Sequence, residues 1–317
     1  MKSSEKKKIS IVTPCYNEEG NITELCSRIR ETMKHIEKYE YEHIFIDNAS
    51  DDNTVQIIKS EAVLDKNIKL VVNVRNFGPV RSPYYGLTLA SGDAVILIAS
   101  DLQDPPELIS DYIDMWEKGF DIVLAKKPKS KESWLMQKIR KTYYKMLSYI
   151  SEVPLENDAT GAGLFDRKVI KALKGLSDPY PYFRGIVCEL GFSRCTIDFE
   201  QPLRKRGKSK ASVYGLFDQA LLAMTKHSKL PLRIMTFSGL IFGSLTFLSA
   251  VIFLIAKLLF WDSFTLGVAP LLVGGSLVAS MLFFFLGILG EYIGMILTHI
   301  RNLPLVVEKE RVNFDED

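Results

Sequence analysis

Ala94-Val-Ile-Leu-Ile-Ala-Ser-Asp-Leu-Gln-Asp-Pro-Pro-Glu107 decides how this chain folds. Its first half is a short, unbroken apolar run, the pattern of a buried strand. Its second half delivers Asp101, Gln103 and Asp104 together into a turn fixed by Pro105 and Pro106. Similar runs at Ile9–Pro14, Glu42–Asp47, Lys69–Val74 and Ile122–Ala125 alternate with amphipathic stretches at Asn21–Tyr39, Asn53–Asp65 and Pro105–Lys118. That alternation predicts βαβ units and an α/β domain with a mostly parallel sheet. Ligands of such sheets gather at the carboxyl ends of the strands, so the residues ending each run are the candidate site.

Charge and hydropathy divide the chain. The formal net charge is only +2, which gives no support for nucleic-acid binding. Most charges precede residue 234; Ile234–Ala256 contains none, and Phe264–Gly290 is a longer uncharged run. Each exceeds the roughly 20 residues that span a bilayer as a helix, and the short linker Lys257–Ser263 makes them a transmembrane hairpin. Lys226, His227, Lys229 and Arg233 precede the hairpin, Arg301, Lys309 and Arg311 follow it, and the linker holds only Lys257 and Asp262. The positive-inside rule then places both termini in the cytoplasm of a multi-pass inner-membrane protein. The expected organisation is a cytoplasmic domain over 1–212, a juxtamembrane amphipathic helix over 213–233, the hairpin over 234–290 and a cytoplasmic tail over 291–317. Within the hairpin the two spans are 234–256 and 264–290.

Cys15, Cys26, Cys188 and Cys195 form no CxxC pair and have no His cluster beside them, which argues for free thiols in a reducing compartment. The polar, basic stretch Met1–Lys8 leads into no apolar segment, so no secretory signal peptide is expected. Residues 131–150 read as a basic helix, with Trp134, Leu135, Ile139 and Tyr143 at helical spacing among Lys138, Arg140 and Lys141. Such a helix either packs on the domain or lies against an anionic surface.

Three strand ends carry candidate chemistry. In Ile11-Val-Thr-Pro-Cys-Tyr-Asn-Glu-Glu19, a strand opens into a helix; its amides could hold a nucleotide, with Asn17 or Glu18 near the base or ribose, or the segment simply caps the helix. Asp47 ends Ile44-Phe-Ile-Asp47 and could accept hydrogen bonds from uracil or guanine N–H groups, while Ser50 and Asp51 suit a helix cap. Asp101 and its neighbours suit a divalent cation shared with phosphates. No GxGxxG follows the first strand, which excludes a dinucleotide-dependent dehydrogenase.

Thr13-Pro-Cys-Tyr-Asn-Glu-Glu19, Asp47-Asn-Ala-Ser-Asp-Asp52, Arg75-Asn-Phe-Gly78 and Asp101-Leu-Gln-Asp-Pro-Pro106 occur in that order. Together they resemble the family 2 glycosyltransferases of the dolichol-phosphate mannose synthase class. The paired spans and Phe285-Leu-Gly-Ile-Leu-Gly-Glu-Tyr-Ile-Gly294 narrow the resemblance to the bactoprenol (undecaprenyl-phosphate) glycosyltransferase branch. It covers essentially the whole chain. It implies a GT-A nucleotide-sugar-binding domain and inverting transfer of a hexose, by default from UDP-glucose, to a polyprenyl phosphate among membrane lipids. It also implies a divalent cation (Mg2+ or Mn2+) and, from relatives, a homotetramer. Mapped onto this sequence, Pro14, Tyr16, Asn17, Glu18, Asp47, Ser100 and Asp101 would hold the nucleotide, and Asp101 with Gln103 the metal. Arg75 and the basic loop Arg204-Lys-Arg-Gly-Lys-Ser-Lys210, through Arg204, Arg206, Lys208 and Lys210, would hold phosphate; the same loop also suits anionic lipid.

Three positions depart from the family pattern. The first carboxylate of Asp-x-Asp is Ala99, the second residue of an Asp-Asp pair is Asn48, and the inner carboxylate of Asp-x-Gly-Asp-Phe aligns with Gly161 in Asp158-Ala-Thr-Gly-Ala-Gly-Leu-Phe-Asp-Arg167. Asp158 is the first candidate for a catalytic or positioning carboxylate, followed by Asp104 and Glu189; Asp166 reads as structural. Two other readings stand beside this one. A processive polysaccharide synthase is disfavoured because no Gln-x-x-Arg-Trp is present; a degenerate nucleotide-sugar-binding membrane scaffold is motivated by Ala99 and Gly161.

Overall fold

A computed structural model describes residues 6–127, 159–176, 178–202, 222, 225, 226, 230–260 and 268–314. The basic helix expected at 131–150, Asp158, Arg204, Arg206, Lys208, Lys210 and most of 213–233 lie outside the described residues.

Five strands alternate with four helices in the first half: β1 (Lys8–Cys15), α1 (Ile22–Lys34), β2 (Glu40–Asp47), α2 (Thr54–Leu64), β3 (Ile68–Asn73), α3 (Gly78–Leu89), β4 (Ala94–Leu97), α4 (Leu108–Glu117) and β5 (Ile122–Lys126). Then follow β6 (Ala159–Asp166), α5 (Arg167–Lys174), α6 (Phe183–Glu189), β7 (Arg194–Asp198), the long helices α7 (Leu230–Leu259) and α8 (Val268–Arg301), and β8 (Glu308–Val312). The strands form one sheet in the order β7-β5-β6-β4-β1-β2-β3-β8. β4, β1, β2 and β3 run parallel, as do β5 and β7; β6 and β8 are antiparallel to their neighbours.

Both faces of the sheet are covered, which explains why the central strands are apolar without alternation. On one face Ile9, Ile11, Phe45 and Ile96 pack with Ile22, Leu25 and Ile29 of α1 and Tyr112 of α4. On the other, Val12, Ile44, Ile46 and Val95 pack with Tyr84 and Leu87 of α3 and Val169 and Ile170 of α5. The four cysteines are free thiols, three of them buried.

β6 wedges between β4 and β5, and Gly163 makes that fit possible. It has φ +156°, and a Cβ there would stand 2.1 Å from the Val123 carbonyl oxygen. Asp166 ends β6 and caps α5 by accepting from the Lys168 N–H at 2.9 Å, and it also accepts from the Trp116 indole at 2.7 Å. Its role is structural.

α7 and α8 contain candidate membrane spans at Leu232–Ser249 and Gly274–Arg301. Phe237, Phe247, Leu277, Phe283, Phe284 and Ile300 are all exposed, so nothing among the described residues covers these apolar surfaces. α8 runs past residue 290, where Glu291 breaks the uncharged stretch, because helical pairing is indifferent to one side-chain charge. The chain then returns: β8 pairs antiparallel with β3, Lys59 pairs with Glu310 at 2.7 Å, and Asn313 donates to the Ala62 and Ile68 carbonyls at 2.8 Å. A tail expected beyond 290 is thus a helix continuation followed by the edge strand of the catalytic sheet.

Candidate functional site

Strand order reverses between β1 and β4: β2 and β3 lie on one side of β1, while β4 and β6 lie on the other. The loops leaving β1 and β4 therefore diverge and open a crevice at their carboxyl ends. Tyr16, Asn17 and Glu18 stand on one side of it and Ser100, Asp101, Gln103 and Asp104 on the other. Three non-glycine residues in the loops after β1, β2 and β4 adopt left-handed backbone: Asn17 (φ 54°), Ala49 (φ 62°) and Leu102 (φ 59°). For Ala49 and Leu102 this conformation costs roughly 1–2 kcal/mol each, so the surroundings must impose it.

The loops are stitched to one another. The Asn17 N–H donates to Ser50 Oγ at 2.9 Å, its side-chain oxygen accepts from the Asp51 N–H at 2.8 Å, and the Glu18 N–H donates to Thr54 Oγ1 at 2.8 Å. Glu18 also accepts from Asn21 Nδ2 at 2.6 Å. Asn17 and Glu18 thus shape the crevice wall with the groups expected to meet the nucleotide.

Asp47 is fully buried rather than open at the sheet edge. The left-handed turn at Ala49 folds Ser50 back, and both its N–H and hydroxyl donate to the carboxylate. Burial pushes the Asp47 pKa up, while these bonds and the Ala49 N–H pull against it. Asn48 faces away from the crevice. Its Nδ2 donates to Asn76 Oδ1 at 2.9 Å and to the Gly78 carbonyl at 3.3 Å, and its Oδ1 accepts from the Phe77 N–H at 2.8 Å and Asn73 Nδ2 at 3.2 Å. An amide, with donors and an acceptor, satisfies that turn; a carboxylate would not. In the same turn the exposed Arg75 lies 4.1 Å from the centre of the Phe77 ring.

The acidic corner lies after β4. Asp101 accepts from the Gln103 N–H at 3.1 Å. Asp104 is buried, and its Oδ1 has no hydrogen-bond partner among the described residues. Burial, then repulsion from Asp101, push its pKa up to about 6; the Ala99 N–H and the charges of Arg184 and Lys127 hold it from rising further. The Tyr112 hydroxyl on α4 is likewise buried without a partner among the described residues, and burial followed by the Asp104 charge raises its pKa. No group of three His, Cys, Asp or Glu side chains suited to a metal exists among the described residues. Asp101 and Gln103 still fit a cation of the Mg2+ kind, which takes one or two carboxylates and completes its shell with substrate phosphates and water.

β6 brings in what the sequence separates. β4 pairs with β6 from Ala94–Asp166 to Leu97–Gly163, which carries Gly161 past the end of that ladder. A Cβ on Gly161 (φ +93°) would lie 3.4 Å from Arg184 Nε. Arg184, on α6, is absent from the sequence-derived site; only its charge, in the run Tyr182-Phe-Arg-Gly185, offered a signal. Glu189, at the other end of α6, is exposed.

Residues 10–173 match the family model for glycosyl transferase family 2. The SfII prophage-derived bactoprenol glucosyl transferase of Shigella flexneri is 34% identical over 304 residues, 96% of this chain and 98% of its own. The uncharacterized glycosyltransferase YkcC of Bacillus subtilis (strain 168) is 32% identical over 299 residues, 94% of this chain and 92% of its own. Among solved structures, the mannosyltransferase PcManGT from Pyrobaculum calidifontis, in complex with GDP-Man and Mn2+, covers 94% of this chain and 88% of its own at 16% identity and a TM-score of 0.46. This chain belongs to glycosyl transferase family 2 and is a glycosyltransferase with a GT-A-like α/β fold.

Proposed function

We propose that the enzyme transfers a hexose, glucose by default, from a nucleoside diphosphate sugar to undecaprenyl phosphate at the cytoplasmic face of the inner membrane. One observation carries this: the glycosyltransferase domain and the apolar hairpin are physically tied. Before α7, Lys226 donates to both Asp178 oxygens, at 2.6 and 2.5 Å, and to the Tyr180 carbonyl at 2.5 Å; His299 of α8 stands 3.8 Å from Asp178. After α8, β8 joins the sheet. A bilayer-bound acceptor therefore meets a domain held at the bilayer surface. Bactoprenol glucosyl transferases at 34% identity supply the acceptor class by analogy.

In this reaction an oxygen of the lipid phosphate bonds to the anomeric carbon while the bond from that carbon to the diphosphate oxygen breaks. The nucleoside diphosphate leaves with the electron pair, and attack from the opposite face inverts the centre. The nucleophile is already an anion, so no base is required; orientation and charge neutralisation lower the barrier. The crevice between β1 and β4 would take the donor. Asp101 and Gln103 would hold a divalent cation, which when bound offsets the negative charge of the departing diphosphate.

The test is incubation of the purified full chain with undecaprenyl phosphate and labelled UDP-, GDP- and dTDP-sugars, with Mg2+ or Mn2+. One donor should yield an organic-extractable lipid-linked sugar. The lack of a carboxylate at Ala99 and at Gly161 favours a second reading, a catalytically silent nucleotide-sugar-binding scaffold. Label that stays in water with every donor, alongside saturable nucleotide binding, would establish that reading instead.

A further inference from the structure

Where the chain leaves α8, two arginines stand beside one another without a counter-charge. Arg75 comes from the loop after β3 and Arg81 from the first turn of α3. Both guanidiniums lie against the Phe77 ring, at 4.1 and 5.3 Å from its centre. Arg75 donates to the carbonyl of its neighbour Asn76, and Arg81 to the Pro304 carbonyl. No carboxylate among the described residues pairs with either one. Those of the flanking segments are engaged, Asp178 by Lys226 and Glu308 by Arg311. Arg81 is half-buried, and its Nε has no acceptor among the described residues. Burial, then repulsion from Arg75, lower its pKa. A partly desolvated cation held beside a second cation is costly unless an anion joins them.

Position indicates which anion. β2 lies between β3 and β1, so the loop after β3 opens about 10 Å to one side of the crevice. The candidate span in α8 ends at Arg301, and its 28 residues rise about 42 Å, the thickness of a bilayer with its headgroups. Pro304 follows Arg301 by three residues, so its contact with Arg81 lies within about 11 Å of chain from that end. The same ledge exposes apolar side chains: Leu303, Val307, and Val74, whose N–H donates to the Val307 carbonyl at 3.0 Å. Guanidiniums offer paired donors to phosphate oxygens. Beside exposed apolar side chains they suit a molecule that carries its phosphate on an apolar body, which a nucleotide sugar does not.

We propose that Arg75 and Arg81 hold the phosphate of an anionic phospholipid in the cytoplasmic headgroup layer, with Val74, Leu303 and Val307 against its glycerol and first acyl carbons. The site rests on the membrane-embedded hairpin proposed above. It gives the phosphate expected at Arg75 a source other than the sugar donor. It also seats the β3 edge of the sheet on the bilayer beside the point where the chain leaves α8.

The experiment titrates the detergent-solubilised full chain with phosphatidylglycerol and follows bound lipid by native mass spectrometry, with UDP affinity measured by calorimetry. Arg75→Gln should weaken the tightest phosphatidylglycerol site roughly 5-fold, and Arg75→Gln with Arg81→Gln roughly 25-fold, the factor expected per arginine near an anionic surface. UDP affinity should not change. Arg75 is exposed and bonds within its own loop, so its single variant guards against a folding defect in the double one. Phosphatidylcholine, whose headgroup has no net charge, should bind at least about 10-fold more weakly than phosphatidylglycerol. Equal binding of the two lipids overturns the proposal, as does an unchanged lipid affinity in the double variant. A fall in UDP affinity at constant lipid affinity would assign the pair to the donor and overturn it. Displacement of phosphatidylglycerol by undecaprenyl phosphate at about a tenth of its concentration would assign the pair to the acceptor, with the same consequence. If the wild-type chain stays in solution without detergent or lipid, the membrane reading itself falls; if it needs them and the double variant matches it, only the two arginines are wrong.

Discussion

Replacing Asp104 by asparagine should stabilise the protein, and do so more strongly as pH rises. The wild-type carboxyl is buried beside Asp101 with one oxygen unpartnered among the described residues, and its pKa moves from 3.8 to about 6. A folded pKa above the unfolded one means that its contribution to stability is fully present below pH 3.8 and lost as pH rises through about 6. Over the whole window the loss is roughly 3 kcal/mol, at about 1.4 kcal/mol per unit. About half of it, roughly 1.4 kcal/mol, falls between about pH 5 and about pH 8. Asparagine keeps the shape and an acceptor for the Ala99 N–H but never ionises. Measured by thermal unfolding with chelator and no donor, the Tm of Asp104→Asn relative to wild type should climb by about 3–5 °C across that interval. Taking the difference between two pH values removes any fixed packing penalty of the substitution. A Tm difference that is flat with pH, or that falls, would refute the inference that a strained carboxylate is held in this corner. Since natural chains keep destabilising charge where function needs it, the same variant should lose most of its transfer activity.

Gly163→Ala should cost at least about 3 kcal/mol, because its methyl group meets the Val123 carbonyl oxygen at 2.1 Å and the β5–β6 ladder must part; wild-type-like melting of that variant would contradict the packing described. Asn48→Asp restores the family's paired carboxylates yet removes the donors to Asn76 and Gly78, so it should lower stability by about 2 kcal/mol without tightening nucleotide binding. Calorimetry with UDP and a denaturant titration decide both halves. Acid sensitivity should begin at His43, which burial holds down to about 3 from 6.5: a neutral buried imidazole contributes stability above pH 6.5 that drains away as pH falls. Glu42 follows at lower pH. Burial pushes it up, but bonds from Ser10, Lys69 and Ser91 bring it to about 2, so its contribution is present above pH 4.5 and lost below. Substituting glutamine at His43 should flatten the loss of Tm between about pH 6.5 and about pH 4.5, and an unchanged profile would exclude His43 as its source.

The central strands were legible because burial on both faces leaves an unbroken apolar run, and Ile11, Ile44, Leu70 and Ile96 all sit where such runs predict. α3 was not, since Gly78, Pro79 and Pro83 argue locally against a helix that tertiary packing of Tyr84 and Leu87 nonetheless supports. β6 was hidden by its glycines, which are there for close approach rather than for a turn. β8 was hidden by its charges, Glu308, Lys309, Glu310 and Arg311, which suit an edge strand facing water. In the site, motifs singled out Asp47, Asn48 and Asp101, but the partners of the first two were not legible, because hydrogen bonds depend on turn geometry. Arg184 was invisible for a different reason. Its neighbours Gly161 and Asp104 come from β6 and from the loop after β4, and only the sheet brings them together.

The sheet also constrains the membrane topology. β3 lies before the hairpin and β8 after it, yet the two pair along Leu70–Asn73 and Glu308–Val312. Strands that share hydrogen bonds lie on one side of any bilayer, so the segment between them must cross an even number of times. α7 and α8, at about 45 and about 51 Å by helical rise, each exceed the roughly 30 Å hydrocarbon core. If α8 crosses a bilayer, its surplus length would carry the chain on to Pro304 and the sheet edge, where the Pro304 carbonyl accepts from Arg81. A chain with one span deleted would have to break β8 from β3 or draw the domain into lipid. Deleting α7 alone should therefore expose the β3 edge to proteolysis after Val74, whereas deleting α7 and α8 together, with a linker joining the domain to β8, should leave that edge protected. Equal protection in both deletions would show that β8 is dispensable to the sheet and would remove this support for two crossings.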